Sequence, residues 1–200
     1  MLFYHVVRGI GAFIARLLIR IKVQGLENIP TEGSCVIAAN HIHALDPVFL
    51  AIAVRRPICF MAKEELMSWP VIGRLIRRLG VFPVKRGKVD VQAVRHALGI
   101  LNRGAVLGIF PEGTRSKSGE IQEAFGGAAL LSMRTGATLI PVALAGDYRL
   151  GGSIRINVGR AISISAAIPG KPTSEERNAA TSLLMQRIAE LKRQLSEESW

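Results

Sequence analysis

The clearest indication of the fold comes from residues 35–47, whose sequence is CVIAANHIHALDP. The first five residues, Cys35–Ala39, are all apolar, which is typical of a strand buried on both faces of a parallel sheet. Asp46 and Pro47 then favour a helix start, with Asp46 as the N-cap and Pro47 at the first helical position. His41 is therefore predicted to lie on a strand-to-helix turn, where open α/β sheets commonly carry functional groups.

On both sides of this stretch, short apolar runs alternate with helical patterns, which predicts an α/β sheet with helices on its faces. Further strands are predicted at residues 21–23, 58–62, 82–84, 105–110, 138–144 and 154–158, and helices at 47–54, 64–79, 90–102 and 125–135. The helix over 64–79 is expected to bend or restart at Pro70. Thr173 and Glu176 have the spacing of a capping box, which predicts the start of a C-terminal helix.

Residues 2–21 have the pattern of a helix with two different faces. Apolar residues recur at helical spacing, and Arg8, Arg16 and Arg20 fall with His5 on the opposite side. Because no acidic residue occurs before Glu27, we expect this helix to lie at the boundary of a membrane. An ordinary helix that packs its apolar stripe on the core has the same spacing, so that alternative stays open.

The chain length fits one domain with attached helices, because 200 residues suffice for a substantial core. We expect a membrane-associating helix at 1–22, an α/β domain at 23–170, and a C-terminal helix packed on the domain at 171–200. No uncharged apolar stretch reaches the roughly 18 residues of a membrane-spanning helix, and no cleavable signal is apparent. We therefore expect a peripheral or monotopic protein on the cytoplasmic face of the cell membrane.

The net charge of +11 implies a polyanionic partner, either a nucleic acid or an anionic membrane surface. Much of the charge lies in residues 55–103, which contain eleven Lys or Arg against three acidic residues. Within this segment, residues 69–82 have an apolar face backed by Arg74, Arg77 and Arg78, which fits either a solvated surface or a second membrane contact. The chain shows none of the common nucleic-acid-binding motifs, so a membrane surface is favoured and a nucleic-acid-binding module is the distant alternative.

His41 and Asp46 are the first candidates for catalysis. A carboxylate five residues after a histidine can fold back and accept a hydrogen bond from the imidazole, which fixes the tautomer and stabilises the protonated ring. Such a pair can remove the proton of an attacking hydroxyl group. Two alternatives stay open: both residues are purely structural, or they bind a metal together with His43, although further ligands are not evident.

Two more segments end predicted strands with polar residues. Residues 110–116, FPEGTRS, include a glycine that allows a tight turn and an arginine suited to binding a phosphate group. Residues 80–86, GVFPVKR, end in two cations. Taken alone, Arg115 could equally be a solvated residue of a surface turn.

Together these segments resemble the lysophosphatidic acid acyltransferases, formally the 1-acyl-sn-glycerol-3-phosphate acyltransferase family. The family's signature blocks are NHxxxxD, a Gly-x₅-Arg block, FPEGTRS and an apolar block with proline. They match, in order, residues 40–46, 80–86, 110–116 and 139–142, and the resemblance covers roughly residues 20–165. It implies a glycerolipid acyltransferase-type mixed sheet flanked by helices, with no cofactor and no metal.

The resemblance also implies the roles of single residues. His41 is expected to be the general base and Asp46 its orienting carboxylate. The residues expected to bind the acceptor are Lys63, Arg86, Glu112, Gly113, Thr114 and Arg115. The chain departs from the family at His43, where serine is frequent, and at residues 125–127, FGG, which lack a lysine that is common in the family.

The implied reaction moves an acyl group from acyl-CoA or acyl-carrier protein to the free sn-2 hydroxyl of 1-acyl-glycerol-3-phosphate, giving phosphatidic acid. The expected partners are this lysophosphatidic acid, the thioester donor and a phospholipid surface. The same chemistry on glycerol-3-phosphate, a lyso-ornithine lipid or another lysophospholipid is the main alternative.

Overall fold

The computed structural model describes residues 2–85, 90–164 and 172–197. Within these ranges the strands are β1 (Arg20–Gln24), β2 (Cys35–Ala39), β3 (Ile58–Lys63), β4 (Phe82–Val84), β5 (Val106–Ile109), β6 (Thr138–Gly146) and β7 (Ser153–Val158). The helices are α1 (Leu2–Leu18), α2 (Asp46–Ala53), α3 (Glu64–Met67), α4 (Ile72–Arg78), α5 (Val91–Asn102), α6 (Gly127–Thr135) and α7 (Ser174–Glu197), with a 3₁₀ turn at Leu26–Asn28. The predicted α/β class is confirmed.

The strands form one mixed sheet in the order β1-β7-β6-β2-β5-β3-β4. The all-apolar strand β2 is the middle strand, as its sequence predicted. Strands β2 to β6 run parallel to one another, whereas β7 is antiparallel to β6 and parallel to β1. The ends of β2 to β6 therefore meet along one side of the sheet, here called the carboxyl edge, and β1 begins at the same edge.

The two faces of the sheet carry separate cores because successive strand side chains point in opposite directions. On one face, Cys35 and Ile37 pack in a cluster with Leu50 of α2. On the other face, Val36 and Ala38 pack in a cluster that contains side chains of α5, α6 and α7. Helices α1 and α2 thus lie on the opposite side of the sheet from α5, α6 and α7.

Several local predictions can be compared with the structure directly. The helix predicted over 64–79 does restart around Pro70, because α3 ends at Met67 and α4 begins at Ile72. The capping box is confirmed: the Thr173 amide donates to Glu176 Oε2 at 2.8 Å, and the Glu176 amide donates to Thr173 Oγ1 at 3.1 Å. The N-terminal helix ends at Leu18 rather than at residue 21 or 22, since the following residues pair with β7.

Helix α1 contacts the domain through its polar and small side, not through its apolar stripe. Tyr4 is the buried residue of the helix, and its hydroxyl accepts a hydrogen bond from the Ile58 amide at 3.1 Å. Arg8, predicted to lie on a free polar face, donates to the carbonyls of Ala51 and Ile52 at 2.9 and 2.8 Å. These are carbonyls at the end of α2, which lack helical partners and attract a cation. The apolar stripe of α1 therefore faces away from the core.

No helix in the described part of the chain is long and apolar enough to cross a bilayer.

Candidate active site

The candidate residues occur in the loops that follow successive parallel strands at the carboxyl edge. In the spatial order of the sheet, Tyr148 follows β6, His41 follows β2, Arg115 follows β5, Lys63 ends β3 and Lys85 follows β4. Neighbouring strands lie about 4.8 Å apart, so this order arranges a histidine beside a row of cations. Clefts at the carboxyl ends of parallel strands are the usual ligand sites of open α/β sheets.

His41 and Asp46 meet, as the sequence predicted. The distance from His41 Nδ1 to Asp46 Oδ2 is 2.7 Å, the Asp46 side chain is fully buried, and that of His41 is 11% exposed. The carboxylate therefore holds the proton on Nδ1, which leaves the lone pair on Nε2 free to accept a proton. His43 does not take this position, so the geometry assigns the dyad to His41.

Asp46 is not the N-cap that the sequence indicated. Helix α2 begins at Asp46 itself, its N-cap is Leu45, and that cap makes no side-chain hydrogen bond. Asp46 Oδ2 points backwards instead and accepts hydrogen bonds from the amides of Ile42 and His43, each at 2.8 Å. The prediction failed because an aspartate that caps a helix and one that closes the preceding turn have the same sequence signature.

The loop of residues 110–116 binds the main-chain amide and carbonyl of His41. The Glu112 carboxylate accepts the His41 amide at 3.0 Å, and the Ser116 amide donates to the His41 carbonyl at 2.8 Å. The second Glu112 oxygen accepts the Gln122 amide at 3.2 Å, so both oxygens bind main-chain donors. Burial raises the pKa of Glu112 above its usual value, although these two amide hydrogen bonds and the nearby His41 oppose the shift.

An aromatic stack supports the His41 ring from the side of β5. Phe110 lies 4.1 Å from the His41 ring and 6.0 Å from Phe60, in stacked geometry in both pairs. Gly108 makes room for this stack, because a Cβ added there would lie 2.2 Å from the Phe60 ring. The imidazole is thus fixed by a hydrogen bond at Nδ1 and by packing on its face.

Two residues that sequence reasoning missed join β6 to the His41 turn. The Asn40 amide group donates to the Leu144 carbonyl at 3.0 Å and accepts from the Leu144 amide at 2.7 Å, so a side chain extends the pairing of β2 with β6. Tyr148 donates its hydroxyl hydrogen bond to Asp46 Oδ1, and its ring stacks on His43 at 4.1 Å. Tyr148 lies 102 residues after Asp46 and belongs to no recognisable motif, so no local signal could have identified it.

The predicted acceptor-binding residues lie at the same edge but make different contacts. Lys63 and Arg115 are exposed, and Lys63 forms an ion pair of 2.8 Å with Glu65. Thr114 donates its hydroxyl to Gln122 at 3.2 Å. Gly113 has φ of +67° beside the Phe125 ring, a combination of backbone conformation and space that only glycine fits. Arg86 lies outside the described residues.

Metal binding was the other possible role for the histidines. Among the described residues, no group of three or more His, Cys, Asp or Glu side chains has the arrangement of a metal site.

The mixed sheet and the buried His–Asp pair at its carboxyl edge define an α/β protein with an enzyme-like site, and the comparisons identify its family. The family model described as Acyltransferase matches residues 20–145. The 1-acyl-sn-glycerol-3-phosphate acyltransferase of Bacillus subtilis is 30% identical over 183 residues, which are 88% of this chain and 90% of that protein. The chain therefore belongs to the acyltransferase family whose curated members include 1-acyl-sn-glycerol-3-phosphate acyltransferases.

Other relatives are longer than this chain. The Borreliella burgdorferi enzyme of the same name is 33% identical over 128 residues, which are 63% of this chain and 51% of that protein. A chloroplastic relative from Brassica napus is 32% identical over 74% of this chain and 44% of its own length. The chain thus spans about half the length of these two relatives.

A solved structure shows the same fold. The crystal structure of the 1-acyl-sn-glycerophosphate acyltransferase PlsC from Thermotoga maritima has a TM-score of 0.77 and 25% identity, and the match covers 98% of this chain and 80% of that one.

Replacing Gly108 by alanine should disturb the His41 ring through the aromatic stack. The added methyl group overlaps Phe60, and overpacking of this kind costs about 1–3 kcal/mol. We expect a loss of that size in the free energy of unfolding, measured by urea denaturation, together with lower acyltransferase activity. Gly99→Ala is the matched control, because Gly99 lies in α5 with its nearest neighbour 3.5 Å from an added Cβ. Equal stability of the two variants would contradict the role of Gly108.

Proposed function

We propose that this protein transfers an acyl group from a thioester to the free sn-2 hydroxyl of 1-acyl-sn-glycerol-3-phosphate, which yields phosphatidic acid. The observation that carries the proposal is the hydrogen bond of 2.7 Å between His41 Nδ1 and the fully buried Asp46 carboxylate. Family membership supports the reaction class, and the names of the relatives support this acceptor. The donor is acyl-CoA or acyl-carrier protein, and the chemistry requires no further cofactor.

The reaction is a direct transfer. His41 Nε2 accepts the hydroxyl proton while the hydroxyl oxygen attacks the thioester carbonyl, and Asp46 stabilises the resulting imidazolium. When the tetrahedral intermediate breaks its carbon–sulfur bond, the imidazolium returns the proton to the departing thiolate. The products are the ester and a free thiol, and the histidine ends in its starting state. General-base catalysis of this kind contributes a factor on the order of 10² to 10⁴.

The cations of the carboxyl edge are proposed to bind the phosphate of the acceptor. Lys63, Arg86 and Arg115 are the cations concerned, with Gly113 and Thr114 beside them. The exposed side chains of Lys63 and Arg115 support this assignment, because an anion that enters from solvent can reach both of them, although Lys63 would have to leave its ion pair with Glu65. For Glu112 a substrate contact stays a prediction, and its contacts with main-chain amides support a role in fixing His41.

The enzyme is further proposed to work at the cytoplasmic face of the cell membrane, where helix α1 contacts lipid. The stripe opposite its packing side consists of large exposed apolar residues, namely Leu2, Phe3, Val6, Ile10, Phe13, Ile14, Leu17 and Leu18. A contiguous apolar surface of this kind marks an interaction site, because single exposed apolar residues are normal but clusters are not. Arg16 beside the stripe is suited to anionic headgroups.

A second exposed apolar cluster lies next to α1. Trp69, Val71, Ile72 and Leu75, in and before α4, are between 39% and 75% exposed. Arg78 of α4 lies 5.7 Å from the centre of the Phe3 ring, so the two helices are neighbours. This contact supports a common lipid-facing surface with α1.

Replacing His41 by alanine should lower kcat by roughly 10² to 10⁴ because the general base is lost. The assay follows thiol release and phosphatidic acid formation with paired donors and a panel of acceptors that includes glycerol-3-phosphate, a lyso-ornithine lipid and other lysophospholipids. His43→Ser should keep at least about a tenth of the activity. An equal loss in both variants would remove the distinction between the two histidines, and a preference for another acceptor would replace the proposed substrate.

Replacing Arg115 by alanine should raise the KM for the acceptor by roughly ten- to a hundredfold, because a hydrogen bond to a charged group is lost. The KM for the donor should change little. Arg134→Ala is the control, since Arg134 is an exposed arginine in the last turn of α6, which leads into the start of β6 at the edge opposite the carboxyl edge. An unchanged acceptor KM in the Arg115 variant would show that this arginine does not bind the phosphate.

Replacing Phe13 by glutamate should weaken binding to vesicles with anionic lipids by about tenfold or more, because apolar burial is lost and a repelled charge is added. Co-sedimentation with phosphatidylglycerol-containing vesicles measures the effect. Leu183→Glu is the control: Leu183 is 38% exposed but lies on α7, on the other side of the sheet. The membrane proposal fails if both variants sediment with vesicles as the native protein does.

A further inference from the structure

The buried carboxylate of Asp46 has a second oxygen that the histidine does not use. Oδ2 accepts three hydrogen bonds, from His41 Nδ1 and from the amides of Ile42 and His43. Among the described residues, Oδ1 accepts a hydrogen bond from Tyr148 alone. Because Asp46 is 0% exposed, bulk water does not compensate for a missing donor at this oxygen. The hydrogen bond from Tyr148 therefore replaces the water that Oδ1 of Asp46 loses on burial.

Tyr148 is held so that its hydroxyl remains at Asp46. Its ring stacks on His43 at 4.1 Å and meets Phe49 edge-on at 5.6 Å. Burial raises the pKa of Tyr148 far above its usual value, and the Asp46 charge and the hydrogen bond add to this. The phenol therefore stays protonated and is always the donor.

The loop that carries Tyr148 is itself anchored at the carboxyl edge. It connects β6 to β7, and the Asp147 amide donates to the Ser153 carbonyl at 2.9 Å. The Gly151 amide donates to the Leu18 carbonyl at 2.8 Å, which joins the loop to the end of α1. These hydrogen bonds fix the main chain of the loop, so that the phenol hydroxyl is held in one position at Asp46, as a precise hydrogen bond requires.

We propose that Tyr148 is a positioning residue of the transfer reaction, which acts through Asp46 and sets how strongly the carboxylate attracts the proton on His41. This inference rests on the proposed acyltransferase function. A donor at Oδ1 draws negative charge away from Oδ2. With this donor in place, Oδ2 attracts the proton on His41 less strongly than it would if Oδ1 had no partner.

Replacing Tyr148 by phenylalanine changes no other titratable group around the His41–Asp46 pair. Glu112 faces the His41 amide from the loop after β5, and His43 lies in the same turn, against the Tyr148 ring. Tyr148→Phe retains the ring and both aromatic contacts and removes only the hydroxyl. The three donors at Oδ2 keep the carboxylate in place, so its charge concentrates on the oxygen that faces the imidazole.

The test compares Tyr148→Phe with the native enzyme at saturating donor and acceptor. On the acidic limb of the pH–rate profile we expect kcat to fall by about threefold or more, because less of the imidazole is neutral at a given pH, while the acceptor KM stays within about twofold. The acidic limb of the pH–rate profile should therefore move to higher pH in the variant. A fall in kcat with an unmoved profile, or no change in either, overturns the proposal.

Tyr4→Phe provides the matched control, because it also removes a buried phenol hydroxyl, one that contacts the Ile58 amide far from Asp46. This variant should lose stability but keep kcat within about twofold and keep its pH–rate profile. A shift of the same size in both variants assigns the effect to general destabilisation and overturns the positioning role.

A second measurement separates this proposal from the proposed function. The His41 imidazole signals, assigned by comparison with His41→Gln, are titrated by NMR in the native protein and in Tyr148→Phe. The midpoint should lie at higher pH in the variant, whichever acceptor the enzyme uses. If the native protein transfers acyl groups to no acceptor of the panel, the proposed function fails, and the titration alone confirms or overturns the coupling of Tyr148 to His41.

Discussion

The arrangement of the carboxyl edge depends on one constraint, which is that the buried carboxylate of Asp46 must be surrounded by hydrogen-bond donors. Asp46 is fully buried, and an anion without hydrogen-bond partners at that depth would strongly destabilise the fold. Its partners are two main-chain amides of the same turn, the His41 ring and the Tyr148 hydroxyl. The turn geometry, the start of α2 and the position of the β6–β7 loop all satisfy this single requirement.

The elements on both sides of β2 give rigid support to the turn that carries the His41–Asp46 pair. On one side, β6 binds the Asn40 side chain through the main chain of Leu144. On the other side, the loop after β5 binds the amide and carbonyl of His41. A side chain held from two neighbouring strands keeps its geometry better than one on a free loop, which is the condition that the proposed general-base role of His41 requires.

The sequence predicted the parts of this arrangement that depend on local patterns. The strand bounds of β2, the restart at Pro70 and the capping box at Thr173 are encoded within a few residues. The pairing of His41 with Asp46 was also accessible, because the two are five residues apart. The Tyr148 contact and the Glu112 contact with the His41 amide join distant segments, so only the strand order brings them together. The sequence did not predict that the apolar stripe of α1 faces outward for a related reason. Amphipathic spacing shows that a helix has two different faces, but it does not show which face packs on the rest of the protein.

The strand order also places the end of helix α1 at the same edge of the sheet as the candidate active site. Since β1 runs opposite to β6, the end of α1 lies at the carboxyl edge, where the Leu18 carbonyl binds the loop of Tyr148. Helix α3 begins at the same edge, directly after β3. A lipid-bound α1 would therefore hold the edge with His41 near the headgroups, where the phosphate and hydroxyl of a lysophospholipid are found. If α1 binds lipid as proposed, the apolar stripe and the His41–Asp46 pair belong to one arrangement, because the residue that ends α1 also anchors the loop of Tyr148.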